Sequence, residues 1–166
     1  MLFGKEDILI NNIAWALRHL PLFGVYGDGR YRLQPIYVDD LAAAAVARIT
    51  GESNETIDAI GPETFYYRDM VEMIAREIGS RALIVAMPPM LAYQGVRVLG
   101  WIVGDVINTR DEVRGLVQER LYVDSPPLGT TKLSDWVRTS CREIGGSPPC
   151  LFVSFLSTMA PSILKT

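Results

Sequence analysis

Apolar and polar positions along the chain alternate in periods that predict helices separated by short strands. Ile8, Ile10, Ile13, Ala14, Leu17 and Leu20 recur at helical spacing, with Asp7 placed to cap the segment and Pro21 and Gly24 to end it. Gly24, Gly27 and Gly29, with Asp28, read as a turn. Gln34 to Val38 then reads as an apolar, β-branched strand, with Pro35 at its beginning or on an edge. Asp39 or Asp40 is placed to cap a helix running from Leu41 through an alanine block to about Ile49. After the polar stretch Gly51 to Glu55 comes a strand over Thr56 to Ile60, stopped by Gly61-Pro62. Thr64 stands where it would cap a helix running from Tyr67 to about Ile78, and Gly79 ends that helix in a left-handed conformation.

Arg81 to Met87 is a third strand with Leu83-Ile84-Val85-Ala86 at its centre, and Pro88-Pro89 opens a helix that is apolar on several faces. Thr109-Arg110-Asp111-Glu112 has the form of a capping box and begins a short helix to about Arg120. Ser125 to Gly129 is a loop, and Lys132 to about Arg142 is the last regular helix. The alternation of strands and helices places the chain in the α/β class.

Composition narrows the function classes. The 166 residues are 49% hydrophobic and 21% charged, enough for one globular domain with an adequate core. A net charge of −3 gives no electrostatic case for nucleic acid or an anionic membrane. Cys141 and Cys150 lack metal-ligand spacing, and the single histidine, His19, cannot complete a zinc site with them, so free thiols in a reducing compartment are expected. Lys5, Glu6 and Asp7 interrupt any secretory h-region. Gln94, Arg97 and Asp105 break the most apolar window, Met87 to Ile107, so no transmembrane span is expected and an intracellular location is the default. From Ile144 to Leu164 no residue is charged, while Pro and Ser are scattered among large apolar side chains. An altered reading frame and an unusual terminal packing segment both account for such a tail. The expected division is therefore residues 1–138 as one α/β part and 139–166 as an atypical tail.

The GDG turn at Gly27-Asp28-Gly29, the strand after it, and Val38, Asp40, Leu41 and Ala42 in a V-x-D-L-A segment resemble the C-terminal half of extended short-chain dehydrogenases/reductases, the epimerase and dehydratase group. Ile57 to Glu63 is similar to that family's strand and G-G-P-E-like turn, with Ile60 in place of the first Gly. Tyr67 to Ile74 is similar to the helix that follows. The likeness, over roughly Met1 to Arg138, is greatest to an atypical branch that includes an accessory subunit of respiratory complex I. It implies a partial Rossmann-type fold without its dinucleotide-binding half. It also implies NAD or NADP as the cofactor of the parent family, with none bound by this chain alone.

The chain departs from that family at the positions that do chemistry. No G-x-x-G-x-x-G or G-x-G-x-x-G is present, and Gly24, Gly27 and Gly29 precede a strand instead of following one, the wrong context for a pyrophosphate turn. The proton-transfer pair Y-x-x-x-K is absent too: Tyr67 is followed four residues later by Val71, and Tyr93 by Arg97. In relatives the Met1-Leu2-Phe3-Gly4 junction passes near the nicotinamide, so Leu2 and Phe3 are candidates for cofactor contact, with ordinary packing as the other reading. The phosphate-binding Arg of sugar-nucleotide members is replaced by Leu33, followed by Gln34 and Pro35. Arg30 and Arg32 lie nearby out of register, either as substrate-side anion binders or as part of a solvated turn. No catalytic residue is assigned. Two functions remain: the substrate-side part of an NAD(P)-dependent oxidoreductase or epimerase, inactive alone, and a non-catalytic relative serving assembly of a complex such as respiratory complex I. In both, the missing N-terminal half or other subunits are the expected partners. A strand at 56–60 without neighbours predicts self-association.

Overall fold

The computed structural model describes residues 1–49, 56–88 and 122–146. Over these the chain order is β1 (Leu2–Phe3), α1 (Ile8–His19), β2 (Leu22–Tyr26), β3 (Arg32–Leu33), β4 (Ile36–Tyr37), α2 (Val38–Arg48), β5 (Phe65–Tyr66), α3 (Tyr67–Glu77), β6 (Leu83–Met87) and α4 (Leu133–Ser140). The helices expected after Pro88 and at Thr109 lie outside the described residues, as do Tyr93, Arg97, Trp101 and Cys150.

The core is built from helix stripes that the periodicity marks out. Ile10, Ile13, Ala14 and Leu17 of α1 are buried at spacings of three and four residues. Met70, Val71, Ile74 and Ala75 of α3 and Leu133 and Val137 of α4 do the same. α1 packs on α3, and α3 packs on α4. Phe3, Val25, Tyr31, Leu33 and Ile144 complete this cluster. Asp7 caps α1 as its position in the sequence predicts. Its carboxylate accepts the Ile10 N–H at 2.6 Å, a bond of about 1 kcal/mol.

The strands form a mixed set of small pairs. β1 lies parallel to β4, with Leu2 opposite Ile36 and Phe3 opposite Tyr37. β2 lies parallel to β6 from Leu22–Leu83 to Tyr26–Met87, and β3 is antiparallel to β5. The chain is therefore mixed α/β with small parallel sheets and helices.

Several local expectations are corrected. Gly24 does not turn the chain but lies inside β2, where a Cβ would come within 1.8 Å of Met87 Cε; the end of the Met87 side chain occupies the space beside it. Gly27 and Gly29, at φ 61 and 72, do form the turn. The expected strand at Gln34 to Val38 shrinks to Ile36–Tyr37, and α2 begins at Val38 rather than Leu41. Neither Asp39 nor Asp40 caps α2. Tyr37 holds the cap position without a side-chain bond, and Asp40 turns its carboxylate to the distant Thr130 and Thr131 instead. Thr64 likewise does not cap α3: Phe65–Tyr66 is first drawn into β5, and Tyr66 becomes the cap residue.

Thr56 to Ile60 is not a strand. The Ile60 N–H turns back to Asp58 O, and Ile60 O accepts both Leu128 N–H and Gly129 N–H, a pattern no ladder provides. Gly79 ends α3 at φ 68, with Ser80 N–H reaching Ala75 O at 2.8 Å. Residue 138 lies within α4. The turn that follows stays on the core: Ile144 is buried, and Gly145 sits against the Ala14 backbone.

The tightest backbone approach gives a direct test. A Cβ on Gly61 would lie 1.7 Å from Pro35 O, so main chain would have to move. Gly61→Ala should cost about 3 kcal/mol in urea unfolding. Gly27→Ala, at φ 61 with nothing within 4 Å, should cost about 1 kcal/mol from its left-handed backbone alone. Equal costs would show that the Gly61–Pro35 approach does not constrain the fold.

Candidate functional site

Two clefts on the described surface gather different parts of the sequence. One, of about 580 Å³, lies beside the β2–β3 turn and the first turns of α3, lined by Asp28, Arg30, Tyr66, Arg68, Asp69 and Glu72. The turn fixes it in place: Gly29 O accepts Arg68 N–H, and Asp28 Oδ1 accepts Arg30 N–H. Arg68 is bonded to Glu72 at 2.8 Å. Arg30 thus opens onto a cleft holding more carboxylates than guanidinium groups, which is unfavourable for a bare anion.

Arg32 goes elsewhere. Its guanidinium lies 3.6 Å from the centre of the Tyr122 ring, a cation–π contact that anchors the segment before α4. The structure therefore does not bring Arg30 and Arg32 into one cleft. Leu33, at the position where sugar-nucleotide relatives carry their Arg, is fully buried. Gln34 beside it is 8% exposed and accepts Val123 N–H at 2.8 Å through Oε1. This register is filled by packing and by one internal hydrogen bond.

The second cleft, of about 510 Å³, opens where β1 gives way to α1. Lys5, Glu6, Asp7, Asn12, Tyr37, Trp136, Ser140 and Glu143 line it. Phe3 forms the packing beneath: it is fully buried, with ring centroids 5.4 Å from Tyr37 and 5.6 Å from Trp136. Leu2, the other candidate for cofactor contact, is 45% exposed. Burial raises the Asp7 carboxyl above its ordinary value although the Ile10, Leu9 and Ile8 N–H groups pull it down. A hydrogen bond to Asp39, then burial, then the charges of Asp39, Asp40 and Glu6 raise the Tyr37 phenol.

Tyr67 does not have the setting of a proton-transfer tyrosine. Tyr67 stacks on Tyr31 at 5.1 Å, and burial, with neighbouring phenols, pushes both well above the tyrosine range. A general base needs the opposite shift, supplied by a cation. His19 stacks on Trp15 and pairs with its carbonyl at the end of α1. Among the described residues no group of His, Cys, Asp and Glu could hold a metal ion, and no helix is long and apolar enough to cross a membrane. Cys141 is a free thiol.

Two acidic contacts escaped sequence reasoning because their partners are remote. Asp40 accepts Thr130 N–H at 2.6 Å and Thr131 N–H at 2.7 Å, along with both hydroxyls. Glu63 accepts Ser134 N–H and its hydroxyl at 3.0 and 2.6 Å, serving the first turn of α4 from outside the helix. The V-x-D-L-A and G-P-E patterns were the only signal. For Asp40, burial opposes ionisation, but the Thr131 and Thr130 N–H groups and then their hydroxyls outweigh it, and the pKa falls.

A folded pKa below the unfolded value of about 3.9 adds stability above that pH, lost as pH falls through the folded pKa. Asp40→Ala should therefore cost about 1–2 kcal/mol at pH 7. The gap between wild type and Asp40→Asn should close on acidification in pH-dependent urea unfolding. A gap that persists below the folded pKa would count against this assignment.

No protein-family profile matches the chain. A stretch of 90 residues, 52% of the chain, is 27% identical to NADH dehydrogenase (ubiquinone) 1 alpha subcomplex subunit 9, mitochondrial, of Arabidopsis thaliana. The match spans 22% of that protein's length.

Proposed function

We propose that the chain is a non-catalytic part of a short-chain dehydrogenase/reductase-like protein that acts by assembling with further polypeptide, as a complex I accessory subunit does. The observation that carries this reading is α2. It has no buried residue, and Val46 and Ile49 at its end are 65% and 76% exposed. A helix of this composition gains little by facing water. It leads directly from a parallel strand pair, an arrangement normally covered on both faces. Leu2 on β1 and Ile57 are also substantially exposed. The relative's name places that protein in an NADH dehydrogenase, which favours an assembly role over free catalysis.

A second reading keeps the chain as the substrate-side part of an NAD(P)-dependent oxidoreductase or epimerase. The cleft beside Phe3 supports it, since relatives of that class pass this junction near the nicotinamide. In either case the dinucleotide's phosphates need a glycine-rich turn from elsewhere.

Calorimetry with NAD(H) and NADP(H) tests the premise both readings share. No detectable binding to this chain is the expected result, and stoichiometric micromolar binding would overturn both. Size-exclusion chromatography with light scattering should show oligomers or aggregates, driven by the exposed α2 face. A sharp monomer peak would remove the main support for a docking role.

A further inference from the structure

The cleft at the start of α1 combines two features that neither reading of function uses. Its aromatic wall is Tyr37 and Trp136, both held by the buried ring of Phe3. Its carboxylates come from separate stretches: Glu6 and Asp7 before α1, and Glu143 after α4. Against these three formal negative charges stands one cation among the lining residues, Lys5, leaving −2. Lys5 lies 3.7 Å from Glu143, with the side chains 79% and 70% exposed, a pairing that an incoming cation can displace at little cost.

Carboxylates on an open surface are merely solvated. Here they border a concavity of small-molecule size, and its aromatic faces favour the same sign of ligand charge as the carboxylates do. At Tyr37 a hydrogen bond to Asp39 and burial, followed by the charges of Asp39, Asp40 and Glu6, raise the phenol above its ordinary value, in keeping with negative charge around this wall. The unused polar groups match as well. Asn11 is committed to Lys5 O, Asp7 O and Gly145 N–H, whereas Asn12 and the Ser140 hydroxyl line the cleft beside it. The first cleft lacks this combination: its two guanidinium groups offset two of its three carboxylates, and Tyr66 is the single aromatic residue in its lining.

We propose that this cleft binds a small organic cation bearing a primary ammonium or guanidinium group. Tyr37 and Trp136 supply the aromatic faces, and Glu6 and Glu143 supply the counter-charges. The proposal concerns the described cleft alone and stands whether or not the chain joins a larger reductase-like assembly.

The test uses the full chain labelled with 5-fluorotryptophan, whose three tryptophans give three fluorine resonances, with Trp136→Phe assigning its own. Titration with n-butylammonium and with methylguanidinium should shift the Trp136 resonance saturably, with a dissociation constant on the order of 1–10 mM. Butyrate, of similar size and opposite charge, should leave it in place. Glu6→Gln and Glu143→Gln alter exposed side chains and should each weaken binding about threefold, with the other two resonances unmoved. A blocked Gly-Arg-Gly peptide distinguishes the source of the cation. Tighter binding than methylguanidinium points to an arginine on another chain, and equal binding to a free small molecule. An absence of saturation to about 50 mM, an equal response to butyrate, or wild-type affinity in both carboxamide variants would overturn the proposal.

Discussion

The carboxylate of Asp40 joins parts of the chain that hydrophobic packing leaves weakly connected. α2 has no buried side chain, so its position depends on the backbone it continues from β4 and on the bonds Asp40 makes to Thr130 and Thr131. Those threonines lead directly into α4, whose Leu133 and Val137 enter the core. Glu63 repeats the device from the other side through Ser134. Charge-assisted bonds to backbone N–H groups are directional and fix register where an apolar contact would allow sliding. Through them the last helix is set against Phe3, and Trp136 reaches the cleft beside α1.

The sequence makes the helices legible and most of the strands illegible, for a physical reason. The stripes Ile10-Ile13-Ala14-Leu17 and Met70-Val71-Ile74-Ala75 each bury one face, and burial imposes the 3.6-residue period that a reader detects. Asp7 and Gly79 act within a few residues of their own helix, so their roles can be read locally. The strands depend on partners far away in the chain. β2 contains Gly24, which looks like a turn until Met87 is found against it, and Ile57 to Ile60 has strand composition but bonds irregularly to residues 128 and 129. The cleft was hidden for the same reason: Glu6, Tyr37 and Trp136 come from three separate parts of the sequence and meet because Phe3 packs under both rings.

Among the described residues, α1 and α3 each bury one face while α2 buries none. Parallel strand pairs followed by helices are built into layers that persist by covering both faces. The mixed α/β character is consistent with the partial likeness to a complex I subunit. Fold resemblance goes no further, since reductase-like folds carry many functions and the function resides in the grafted site.

The electrostatics of that site bear on which function was grafted. A dinucleotide needs donors for its pyrophosphate and a tyrosine whose proton leaves near neutrality. The described clefts are furnished differently. The cleft beside Phe3 is bordered by Glu6, Asp7 and Glu143, and the stacked phenols of Tyr31 and Tyr67 are held protonated by burial. Arg32 is positioned over Tyr122, and Arg68 is bonded to Glu72. Negative charge beside an aromatic wall repels phosphate and attracts cations. On the proposal made above, this surface takes a ligand of positive charge.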